Sequence, residues 1–121
     1  MITVGAFDQR FNQYAAFSGR GYTWATVQIK PDLVAPGVEI ISASPGGGYT
    51  GRTGTSMATP FVTGASALFM EWGIVLGNDS YLYGEKMKAY FIKGAQRLPG
   101  IVVYPNAMVG YGSLCIRASV P

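Results

Sequence analysis

The sequence predicts an α/β chain organised on a parallel sheet, and three observations carry that prediction. Ile2-Thr3-Val4-Gly5-Ala6-Phe7 is short, β-branched and mostly apolar on both faces, the pattern of an inner parallel strand. From Ser56 onward, Phe61, Ala65, Leu68 and Trp72 recur at helical spacing in a segment that is apolar nearly all round. Glycine fills 17 of 121 positions. That is about twice average usage, which argues for tight turns and close backbone approaches and against a helical bundle.

The elements follow in order. Ile2–Phe7 forms the first strand, and Asp8–Ser18 a polar turn and loop carrying Phe11, Tyr14 and Phe17, extended by Gly19-Arg20-Gly21. Leu33-Val34-Ala35 is a very short strand stopped by Pro36-Gly37, and Val38–Ala43 is a second candidate. Pro45-Gly46-Gly47-Gly48 makes a turn, and Tyr49–Thr53 pairs back as a hairpin. The long helix from Ser56 is expected to be buried on most sides and to stop at Gly73. A second helix over Glu85–Arg97 sets Met87, Tyr90, Phe91 and Ala95 on one face and gives Lys86, Lys88 and Lys93 to solvent. Gly110-Tyr111-Gly112 is a late turn. No repeat and no linker divides the chain.

Composition excludes more than it assigns. Apolar residues make up 49% and charged residues 12%. The charged share is about half that of an ordinary soluble domain, which argues against disorder and suggests a surface that expects to be covered. There is no histidine, so no Ser-His-Asp or Cys-His triad is complete within these residues. One cysteine, no histidine and six dispersed carboxylates support no metal site and no cofactor. The net charge is +3, but the basic residues scatter from Arg10 to Arg117, which gives nucleic-acid binding no support. No targeting segment is visible, and the longest apolar stretch, 58–77, contains Pro60, Glu71 and three glycines, so it reads as a buried helix and not a membrane span.

Gly54-Thr55-Ser56-Met57-Ala58-Thr59-Pro60 is the segment that carries chemistry. A glycine turn delivers a serine to the start of an apolar helix, where unpaired N–H groups and a partial positive charge suit a developing oxyanion. A serine or threonine there also serves as an ordinary helix cap, and on residue chemistry alone capping is the commoner role for Thr55 or Ser56. Trp24 and Trp72 read as packing residues, and Cys115 as a small buried apolar side chain. No lysine stands at a motif spacing from Ser56 that would make a Ser-Lys dyad.

This segment, continued by Val62, Gly64 and Ala65, closely resembles the serine motif of subtilisin-like serine proteases, the peptidase S8 or subtilase family. Ile2–Ala6 with Phe17-Ser18, the Pro31-Asp32-Leu33-Val34-Ala35-Pro36-Gly37 signature, and Gly110-Tyr111-Gly112 resemble that family in the same order. Phe61, where the family usually carries a histidine outside the triad, reads as a packing substitution. With Met70-Glu71-Trp72-Gly73-Ile74 it resembles the clostridial subgroup, which includes spore-germination proteases.

The resemblance implies a three-layer α/β fold, a central parallel sheet with helices on both faces, of which residues 1–121 are the C-terminal portion of the catalytic domain. Ser56 would be the nucleophile and its own N–H an oxyanion donor, with Thr55 beside the hole and Gly46, Gly47, Gly48 and Gly54 near the substrate cleft. Family order places the Asp segment, the His helix and the oxyanion Asn before the serine motif, and none is present here. Asp32 reads as a turn or capping carboxylate. Implied partners are a protein or peptide substrate and the remaining half of the domain, with an extracellular, cell-envelope or spore location. The competing expectation is a non-catalytic subtilisin-like module for binding or regulation.

Overall fold

The computed structural model describes residues 1–121. Seven strands form: β1 (Val4–Asp8), β2 (Gln13–Tyr14), β3 (Gly21–Tyr22), β4 (Ile29–Lys30), β5 (Leu33–Pro36), β6 (Ile40–Ala43) and β7 (Tyr49–Arg52). Three helices form: α1 (Thr55–Met70), α2 (Gly84–Gly94) and α3 (Ile116–Ser119).

The central sheet has the order β2-β1-β5. β1 and β5 are parallel, with Val4 opposite Leu33 and Phe7 opposite Pro36, as their two-sided apolar pattern predicts. The free edge of β5 is closed by the late chain: Val34 bridges Ser113 in parallel, through Val34 N–H to Gly112 O at 3.0 Å and Leu114 N–H to Val34 O at 2.9 Å. β2 and the start of β3 lie where loop was expected, and β4 lies in a stretch whose sequence specifies no element. Each is a two-residue pairing too short to show a period.

Alternation across the sheet splits the core. Ala6, Leu33 and Ala35 point to one side and join Ala58, Val62, Ala65 and Phe69 of α1 with Met87 and Phe91 of α2. Phe7 and Val34 point to the other, under Leu98 and Val109. Within these residues both long helices thus share one face, and the irregular 98–109 segment covers the opposite one. Phe69 anchors the helix pair, its ring 5.3 Å from Phe91, edge to face, and 5.4 Å from Trp72 and from Tyr90.

Expectations for α1 and for Trp24 are corrected. α1 does not stop at Gly73: the chain continues as a π-helical turn, Glu71–Val75. Gly73 is there for proximity, since a β-carbon on it would lie 3.0 Å from Leu82 Cδ2. Nor is α1 buried on most sides. Only Ala58, Val62, Ala65 and Phe69 are buried, while Phe61, Leu68 and Met70 remain exposed, as do Ile74 and Val75 of the π-helical turn. Finally, Trp24 packs against nothing and is fully exposed.

Lys86 and Lys88 are half-buried ion-pair partners and not a solvated face. Lys86 binds Asp79 at 2.6 Å, with Tyr90 OH donating to the same carboxylate at 3.0 Å. Lys88 reaches Asp32 at 3.2 Å, beside Lys30 at 2.9 Å. Asp32 itself is buried, and its Oδ2 accepts the Thr3 N–H at 2.8 Å, which ties the start of β1 to the start of β5. This is a longer-range capping role than a local turn.

Candidate functional site

The serine segment is placed by the sheet. Gly54 N–H donates to Gly37 O at 2.8 Å, just past β5, so α1 begins against the end of the central strands. The N-cap of α1 is Gly54, with no side-chain cap and no acidic residue in the first turn. Capping therefore does not account for Thr55 or Ser56, which are the first and second residues of the helix. Met57 N–H is taken by Gly54 O at 3.1 Å, while first-turn N–H groups such as those of Thr55 and Ser56 have no intrahelical acceptor. The uncompensated positive end of the helix lies at Ser56.

Ser56 is exposed at one wall of an open groove of about 550 Å³. Met57, Pro60 and Phe61 continue that wall along α1. The rest of the lining comes from the antiparallel β6–β7 hairpin: Ile40, Ile41, Ser42, Ala43, Pro45, Thr50 and Arg52. Pro60 is the sixth residue of α1, beyond the first turn, and its missing N–H removes the bond that the Ser56 carbonyl would accept.

The other expected site residues separate. Thr55 is half-buried and lines a separate, smaller pocket, with Thr3, Val4, Gly5 and Lys30. Gly46, Gly47 and Gly48 form the hairpin tip with φ of 85°, 98° and 78°, a run that only glycine adopts readily. They stand next to Pro45, which lines the groove, and do not line it themselves. Phe61 lines the groove and is not packed in the core. Met57 and Arg52 were missed in the sequence, because the groove is lined jointly by α1 and the β6–β7 hairpin and local patterning does not show that pairing. No three Cys, Asp or Glu side chains cluster as a metal would need, and no helix is long and apolar enough to cross a membrane.

Fold and site define an α/β chain that presents an uncapped serine at a helix N-terminus beside an open groove. The chain belongs to the subtilase family, peptidase S8, whose family model matches residues 1–112. The minor extracellular protease Vpr of Bacillus subtilis is 35% identical over 120 residues, covering 89% of this chain and 14% of Vpr. A thermophilic serine proteinase of a Bacillus species (strain AK1) is 45% identical over 73 residues, 60% of this chain and 16% of that protein. Among solved structures, the Clostridium perfringens CspB protease matches 98% of this chain with a TM-score of 0.92 and 47% identity. The chain spans 25% of that CspB chain, so it is similar to a part of each relative.

Proposed function

We propose that residues 1–121 are the C-terminal, serine-bearing portion of a subtilisin-like catalytic domain, and that Ser56 is the nucleophile of a serine endopeptidase. The observation that carries the reading is the exposed, uncapped Ser56 in the first turn of α1 at the groove wall. In this reading Ser56 Oγ attacks the scissile carbonyl and the oxyanion forms at the helix N-terminus, where the Ser56 N–H donates to it. The amine leaves, an acyl-enzyme remains on Ser56, and water hydrolyses it.

The chain holds no histidine, so the general base and its orienting carboxylate come from the rest of the domain. Two features support such a partner. The accessible surface is 7460 Å², against roughly 6,300 Å² for a self-contained monomer of this mass. The unburied side of α1 is also apolar, since Thr59, Thr63 and Ser66 return their hydroxyls to Thr55, Thr59 and Val62 carbonyls.

Fluorophosphonate labelling read by intact mass tests the assignment. The full-length protein is expected to take one label, lost in Ser56→Ala with a fall in turnover of about a million-fold, the size of that effect in subtilisin itself. The 121-residue chain alone is expected to take none. A folded full-length protein that leaves Ser56 unlabelled favours the second reading, a non-catalytic subtilisin-like module, for which the missing histidine is the motivating observation.

A further inference from the structure

We propose that the groove beside Ser56 selects peptides carrying an acidic side chain next to the scissile bond, and that Arg52 is the residue that reads it. This rests on the assignment of Ser56 as nucleophile and names the substrate class of that same site.

The hairpin register carries the inference. Ile40 stands opposite Arg52 and Ser42 opposite Thr50, so these four side chains share one face of the β6–β7 ladder. All four line the groove with Ser56, Met57, Pro60 and Phe61, as do Ile41 and Ala43 from the alternate strand positions. Arg52 is the sole charged residue among the groove's lining residues. Its charge is not neutralised within the chain. The four ion pairs use Arg10, Lys30, Lys86 and Lys88. The neighbouring carboxylate, Glu39, lies over the opposite face: a β-carbon on Gly51 would meet Glu39 Oε2 at 3.1 Å, and Gly51 pairs with Ile41.

Arg52 and Ser56 are also fixed relative to one another. The strand ladder holds Arg52, and the connecting turn is tied by Glu39 N–H to Thr53 Oγ1 at 3.0 Å and Gly54 N–H to Gly37 O at 2.8 Å. A guanidinium offers a planar fork that a carboxylate fills with two parallel hydrogen bonds. The apolar floor supplied by Ile40, Met57, Pro60 and Phe61 suits the methylenes that carry such a carboxylate.

The test uses full-length protein and fluorogenic peptides identical except for Glu, Gln or Lys at the residues flanking the scissile bond. Arg52 is exposed, so its attraction for Glu and repulsion of Lys together give a preference of about tenfold in kcat/KM at low salt, weakened at high salt. Arg52→Glu is expected to reverse the Glu-to-Lys ratio, and Arg52→Gln to bring the two peptides within about twofold. A ratio unmoved by both variants, each confirmed folded by its melting transition, overturns the proposal. Should no peptide turn over, the assignment of Ser56 fails separately. Binding of the same peptides to Ser56→Ala protein then reads Arg52: a Glu preference reversed by Arg52→Glu supports it, and equal affinities overturn it.

Discussion

A β-carbon on Gly37 would lie 2.5 Å from Cβ of Ala6 and 2.9 Å from the Gly54 carbonyl oxygen. Gly37 is therefore where the sheet and the serine turn touch, and the close approach is what fixes Ser56 against the strands. Gly37→Ala is expected to destabilise the fold by about 1–3 kcal/mol through overpacking and to slow Ser56 labelling in the full-length protein. Gly19→Ala, which meets nothing within 4 Å, is expected to change neither. Parallel melting curves and labelling rates check the pair. A second residue-scale effect is electrostatic. Burial pushes the Asp32 carboxyl up, but the Thr3 N–H and the Lys30 and Lys88 ammonium groups outweigh it and hold it below the usual carboxylate range. A depressed folded pKa gives stability that is fully present above the unfolded value near ~4 and lost as pH falls through the folded value. Thermal melts are expected to be flat toward neutral pH and to fall below about pH 4, less so in Asp32→Asn.

At the scale of elements, α1 is the informative case. Its buried stripe, Ala58, Val62, Ala65 and Phe69, follows the helical period, and its apolar reverse side carries Phe61 and Leu68, the latter 55% exposed. Leu68→Lys is expected to shift the isolated chain from self-associated to monomeric in sedimentation velocity. An isolated wild-type chain that sediments as a monomer would contradict a partner for this face. Helix α1 was legible from its period and strand β1 from its apolar run, while the very short β5 was legible from Leu33-Val34-Ala35 and its Pro36-Gly37 stop. Gly73 was misread because glycine permits either a helix stop or a close approach, and only Leu82 reveals which. Lys86 and Lys88 of α2 were misread because their carboxylates lie outside the helix, whereas Lys93 is exposed as its place on the helix implies. Asp79 precedes it, and Asp32 sits far upstream, so helical periodicity could not show either pairing. Ser56 was legible as a motif, whereas Arg52 entered the site only through the hairpin register.

For the whole molecule, the order of events along the chain matters as much as the contacts. Strand β5 gains one neighbour from β1 near the N-terminus and the other from Ser113, close to the far end. Contacts so distant in sequence close late, after most of the loop entropy has been overcome. During synthesis, the edge of β5 stays open until the segment around Ser113 has left the ribosome, and an open strand edge is a template for pairing with other chains. A premature stop anywhere between α2 and Ser113 thus leaves the serine helix formed but its sheet unsealed. Such truncated products are expected to aggregate or be degraded.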